Sequence, residues 1–237
     1  MMAADSQLVP LLLSLKVAGC ATAVILPPGI LVGLLLARRD FPGRSLVETI
    51  TALPLVLPPT AVGYVLLRAL ARNGPLGERR LGFDLDLLLT WKGAALASAV
   101  MALPLVARTS RVAFEQIDPR LEAMARTMGS GPLRAFVEVT LPMARRGLLA
   151  AALLGFSRAL GEFGATVIVA GNIPGRTRTL ALAIFDDIQT GRNEEALALV
   201  GITVALAFAT VWTAELLMRD RPRRAPAGLS RTGPPPA

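Results

Sequence analysis

Five apolar blocks, each long enough to cross a bilayer, constrain this 237-residue chain more than any other feature. They run over residues 8–37, 46–71, 87–107, 147–170 and 196–218. A spanning helix needs about 20 predominantly apolar residues, because lipid offers no partner to an open backbone N–H or C=O. Composition agrees: 18% of the residues are charged and 53% hydrophobic, with mean hydropathy +0.56, whereas a soluble domain carries about 25% charge. The expected fold class is all-α, a polytopic membrane helical bundle of about five transmembrane helices in one domain, 8–218. Residues 219–237 are rich in Arg and Pro and are expected to form a disordered cytoplasmic tail.

Prolines interrupt two of the blocks. The first holds Pro27-Pro28 and is expected to kink or tilt. Gly29 and Gly33 follow as a GxxxG pair, which suits either a flexible kink or a helix-packing face. The second holds Pro54, Pro58 and Pro59 in PLVLPP. Each proline removes a backbone donor and crowds the preceding turn. The carbonyls so freed need a neighbouring helix or a water-filled path. A broken helix beside a translocation path and a simple structural kink both fit, with Pro58, Pro59 and Thr60 as the residues concerned.

Residues 108–146 are too polar to lie in lipid. They read as one or two amphipathic helices, punctuated at Pro119 and at Gly129–Pro132. A second polar insertion covers 172–192, with 180–184 as a short re-entrant or interfacial helix.

Orientation follows from counting basic residues in the short loops. Residues 38–44, 108–146 and the tail hold three, seven and five, while 72–86 and 171–195 hold three each. Cytoplasmic loops carry the excess of Lys and Arg. The N-terminus is therefore expected outside and the C-terminus in the cytoplasm. The same distribution explains the net charge of +8 as the flanks of membrane spans. No nucleic-acid role is expected, since that would need a basic face on a soluble fold.

Catalytic chemistry is hard to place. The chain has no His and a single Cys, Cys20, which rules out an internal disulfide, histidine-based triads and the usual zinc site. No G-x-x-x-x-G-K-[ST] loop is present to bind nucleotide. No catalytic residue, cofactor or metal is expected, and the energy for any transport must come from a gradient or a partner.

Two segments point to a family. In the first, Ala123-Met124-Ala125-Arg126-Thr127-Met128-Gly129 is followed, nine residues on, by Val139-Thr140-Leu141-Pro142. It resembles the EAA---G---------I-LP motif of binding-protein-dependent ABC importer permeases, with Glu122 one residue ahead of the usual carboxylate. The resemblance implies that 114–142 is a cytoplasmic coupling region docking on an ATPase, with Glu122, Ala123, Ala125, Arg126, Gly129, Leu141 and Pro142 as its residues. Small side chains at Ala123 and Ala125 would let a partner approach closely, and Gly129 would end the helix.

The second segment is Arg158-Ala-Leu-Gly161-Glu162-Phe163-Gly164-Ala165-Thr166, then Ala170-Gly171-Asn172-Ile173-Pro174-Gly175-Arg-Thr-Arg-Thr179. It is similar to the signature of molybdate permeases. Further likenesses are FPGRS at 41–45 and LPLVLPPTAVGY at 53–64. Arg158 and Glu162 stand four apart, as if on one helix face. Charges inside a membrane usually pair or line a polar path, and both roles fit here. Thr166 adds a hydroxyl to the same segment. Asn172, Pro174 and Gly175 form a turn by their own chemistry, expected on the external face.

The resemblance implies the type I ABC importer permease fold in the bacterial cytoplasmic (inner) membrane. It implies a separate ABC ATPase subunit and a periplasmic oxyanion-binding protein as partners, besides membrane lipid. Five spans enclose a gated path only with difficulty, so a homodimer is expected. The implied substrate is molybdate, with tungstate or sulfate/thiosulfate as alternatives. A secondary transporter or channel, the alternative of a different class, would move substrate without an ATPase.

Overall fold

A computed structural model describes residues 2–218, with side chains from Gln7 onward; the tail at 219–237 lies outside the described residues. Among the described residues every regular element is helical. The order is α1 (Met2–Arg38), α2 (Arg44–Val56), α3 (Pro59–Leu70), α4 (Glu78–Leu81), α5 (Trp91–Glu115), α6 (Pro119–Thr127), α7 (Pro132–Ala135), a π turn (Phe136–Thr140), α8 (Leu141–Leu160), α9 (Gly164–Ala170), α10 (Leu180–Gln189) and α11 (Asn193–Met218). Among the described residues four helices are long and apolar enough to cross a membrane, and the bent pair α2–α3 makes a fifth span if taken as one.

The core forms around α1 and α5, which run side by side in the same direction. Gly29 and Gly33 resolve as a packing face. A Cβ on Gly29 would lie 2.6 Å from Val106 Cγ1, and one on Gly33 would lie 2.8 Å from Ala107 O. Helix α1 continues unbroken through Pro27-Pro28. Alanines and serine on α5 (Ala94, Ala97, Ser98, Ala102) are fully buried, as close helix approach in lipid requires. Helix α11 lies at the edge, mostly exposed and apolar.

The second block breaks sharply: α2 and α3 meet at 111°. The residue before a proline is pushed out of the helical region, and here two successive residues are so placed. Leu57 (ψ 144°) precedes Pro58, and Pro58 (ψ 133°) precedes Pro59.

The fourth block differs most from its sequence boundaries. The helix starts at Pro132 rather than at 147 and runs 29 residues to Leu160. Its π turn has a local cause. Pro142 has no N–H to give, and its ring crowds the carbonyl four residues back. The helix widens there, and Leu141 N donates to Phe136 O, five residues back. The block then stops early, because Gly161-Glu162-Phe163 separates α8 from α9. The polar insertion 108–146 is correspondingly shorter, since α5 continues to Glu115. The expected short helix at 180–184 is the ten-residue α10.

Candidate translocation path and coupling surface

Two half-helices, α3 and α9, touch near their starts. The start of α3 packs closely on the start of α9. A Cβ on Gly63 would lie 2.9 Å from Ala165 Cα, and one on Gly164 would lie 2.8 Å from Pro59 Cβ. The two motifs PLVLPPT and GEFGAT are thus brought together. Gly63 and Ala165 make that approach, and neither stands out in the sequence beyond being small. Pro58, Pro59 and Thr60 form the exposed apex of the break, beside Val56 and Tyr64.

Arg158 and Glu162 do pair, with Nη1 to Oε2 at 2.7 Å, but not along one helix face. Helix α8 ends at Leu160, and Glu162 lies in the break, 2% exposed. Its other oxygen, Oε1, accepts from Ala165 N at 2.8 Å. The carboxylate therefore ties Arg158 on α8 to the N-terminus of α9, where the helix dipole favours negative charge. Thr166 is fully buried. Its hydroxyl donates to Phe163 O at 2.8 Å and lies 3.2 Å from Glu162 O, so it is turned into its own loop and away from any path in this chain.

The turn after α9 is held by a polar network. Gly171 and Gly175 have φ of +72°, which favours glycine. Asn172 Oδ1 accepts from Arg178 Nε at 3.0 Å, and Arg178 pairs with Asp186 on α10 at 3.0 Å. Arg192 pairs with Asp187 at 2.6 Å. That hydrogen bond holds the Arg192 pKa above its ordinary value. Leu180 N donates to Ser14 Oγ at 2.6 Å, which fastens α10 to α1. Pro174 and Gly175 are left exposed at the tip. The Arg178, Asp186, Asp187 and Arg192 contacts were legible only as a mixture of opposite charges in one polar insertion.

Helix α6 is short and fully capped. Asp118 Oδ1 accepts from Arg120 N at 2.9 Å. At the other end Gly129 (φ +96°) closes the helix, with Gly129 N donating to Arg126 O and Ser130 N to Ala125 O. Glu122 turns inward: its Oε2 accepts from the buried Thr140 hydroxyl at 3.0 Å, pinning α6 to the π turn. Ala125 is also buried, so it packs within the chain. Ala123, Arg126, Leu141 and Pro142 are exposed. So are large apolar side chains that composition did not single out: Met124, Leu133 at 75% and Met128 at 81%. A cluster of that kind beside a polar helix marks an interaction surface.

Residues 29–220 match the family described as the binding-protein-dependent transport system inner membrane component. The chain belongs to that family. This permease is similar to the molybdenum transport system permease protein ModB of Escherichia coli strain K12, with 44% identity over 95% of this chain and 99% of that protein. It is less similar to the sulfate transport system permease protein CysT of Salmonella typhimurium, at 34% identity over 83% of this chain and 71% of that protein. Among solved structures, a bacterial alginate ABC transporter in complex with an alginate pentasaccharide-bound periplasmic protein shares the fold. Its TM-score is 0.70 with 18% identity, over 90% of this permease and 78% of that chain. The permease is thus an all-α, multi-pass inner membrane subunit with the fold of ABC importer permeases.

Proposed function

We propose that the permease forms the membrane path of an ATP-driven importer for molybdate. The observation that carries this is the 44% identity along almost the whole of both chains with the E. coli molybdenum permease, against 34% for the sulfate permease. ATP is hydrolysed by a separate ABC ATPase, which contacts Ala123, Met124, Arg126, Met128 and Leu133 on the exposed face around α6. A periplasmic oxyanion-binding protein delivers substrate to the side that carries Asn172, Pro174 and Gly175. Two copies of the chain face each other across the path, with the α2–α3 apex and Arg158 near it. The N-terminus lies outside and the C-terminus inside, as the arginine distribution supports. Closure of the ATPases pushes on α6, and the bundle responds by opening outward.

A tetrahedral dianion must be held weakly enough to leave. Arg158 is offset by Glu162, so the weak donors proposed for the path are the hydroxyl and the backbone amide of Thr60; the neighbouring Ala61 and Val62 amides already donate to Pro58 O. The test is a strain lacking the permease, grown on scarce molybdate. It should lose molybdoenzyme activity and regain it with this gene or with millimolar molybdate. A strain that keeps its molybdoenzymes but requires cysteine would transfer the assignment to sulfate.

A further inference from the structure

A cavity of about 330 Å³ opens where α5, α8 and α11 meet at the arginine-rich end of the bundle. Its polar wall is Thr109, Gln116, Arg145 and Arg146, and its rim on α11 is Leu217 and Met218. Neither Arg145 nor Arg146 pairs with a carboxylate among the described residues. Arg111 pairs with Glu48 and Glu115, and Arg44 with Asp40 and Glu48, whereas Arg38, Arg39, Arg108, Arg120 and Arg126 share with Arg145 and Arg146 the lack of a carboxylate partner among the described residues but do not, Arg108 apart, line a cavity. Two guanidinium groups on one hollow, without a carboxylate among the described residues, suit an anion with several oxygens, and guanidinium recognises phosphate oxygens in a fork geometry. The surface leading away from the cavity is apolar. Met143 and Leu149 on α8 and Phe208, Trp212 and Leu216 on α11 are all exposed, and Phe208 stacks on Trp212 with ring centroids 5.7 Å apart. Hydrocarbon below and paired cations above match a phospholipid, not a free ion.

We propose that this cavity binds the phosphodiester headgroup of an anionic phospholipid, whose acyl chains lie along α8 and α11. Basic pockets between membrane helices at the level of the headgroups bind acidic lipids in this way. The headgroup straps α5, α8 and α11 together beside Pro142, at the base of the π turn. The site is independent of which oxyanion crosses the membrane.

The test is native mass spectrometry of the purified full-length permease in detergent, titrated with dioleoyl-phosphatidylglycerol or dioleoyl-phosphatidylcholine. The expected result is one retained phosphatidylglycerol per chain and no retained phosphatidylcholine. Arg145→Gln with Arg146→Gln should weaken retention roughly thirtyfold, at about one unit of charge attraction per arginine. Arg145→Lys with Arg146→Lys, which keeps the charge and loses the fork, should fall between the parent and the glutamine variant. Arg79→Gln with Arg80→Gln, a second consecutive pair on the exposed α4 with no such cavity, should change nothing. If the double glutamine variant is not monodisperse, the two single variants carry the same comparison. Equal retention of both lipids, or unchanged binding in the glutamine variants, overturns the proposal. Displacement of the lipid by millimolar inorganic phosphate or molybdate also overturns it, in favour of a free-oxyanion site.

Discussion

Removing the Glu162 carboxylate is the sharpest perturbation the structure offers. The group is 2% exposed and holds two partners, Arg158 at 2.7 Å and the Ala165 amide at 2.8 Å. Glu162→Gln keeps an acceptor for Ala165 N but leaves Arg158 without its counter-charge. Taking one partner from a fully buried pair costs about 3–5 kcal/mol. Arg158 is 28% exposed, so water screens part of that, and about 2–3 kcal/mol is the working figure. Glu162→Ala also orphans the Ala165 amide, for about 1–3 kcal/mol more. A double variant, Arg158→Met with Glu162→Gln, removes both charges, keeps the acceptor and should return to within about 1 kcal/mol of the parent. At about 2–4 °C per kcal/mol for a chain of this size, the thermal midpoint in detergent should fall by roughly 5–10 °C in Glu162→Gln, further in Glu162→Ala, and recover in the double variant. Uptake in reconstituted vesicles then separates the roles: recovered stability with recovered uptake marks a structural tie, and recovered stability without uptake marks a charge needed by the path. A Glu162→Gln protein as stable as the parent, or a double variant no better than the single, would refute the reasoning.

Other expectations follow from particular contacts. Gly63→Ala should lower the thermal midpoint, since its Cβ would meet the α9 backbone at 2.9 Å and such overpacking costs about 1–3 kcal/mol; Gly201→Ala, with nothing within 4 Å, should be neutral or slightly stabilising in the same assay. Met128→Asp on the exposed side of α6 should leave the folded permease intact while lowering both ATPase co-purification and transport, whereas Ala125→Arg, at a buried position, should reduce the yield of folded protein. Thr60→Val should change the uptake rate with stability unaltered, and Thr166→Val should do the reverse, because only the second hydroxyl is bonded inside the chain. A phosphatase reporter fused after Glu78 should be active and one fused after Arg126 silent; the opposite pattern would invert the topology.

Much of the architecture was legible because lipid imposes strict demands on sequence. Long apolar runs in lipid are expected as helices, and the proline pair at 58–59 ends one of them, whereas the pair at 27–28 is carried inside an unbroken α1. What periodicity and spacing missed were events decided by single residues against a tertiary background. The 147–170 run looks like one span because hydropathy is an average, and Gly161-Glu162-Phe163 interrupts it without making it polar. Glu162 four residues after Arg158 reads as a helical pair, yet the helix has ended and the partners meet across a break. Ala125 looked like a contact surface for a partner because small residues allow close approach, but the neighbour it approaches belongs to its own chain. The exposed Met124, Met128 and Leu133 could have been found as apolar residues in an otherwise polar insertion, had the face they share been known.

On the path proposed above, the two half-helices that touch at their starts admit an anion without trapping it. Both α3 and α9 begin there, and a helix N-terminus presents unpaired N–H groups and partial positive charge. At α9 that charge is already answered, because the Glu162 carboxylate accepts from the Ala165 amide. At α3 no side chain caps the helix, its first position is a proline with no N–H, and Thr60 is exposed. The break therefore leaves one electropositive end closed by a carboxylate and one open at the apex of the bend. Arg158 is held by the same carboxylate that closes α9. An anion passing the apex would meet partial charges and a hydroxyl in place of a free cation, which is the balance that conduction of a dianion requires.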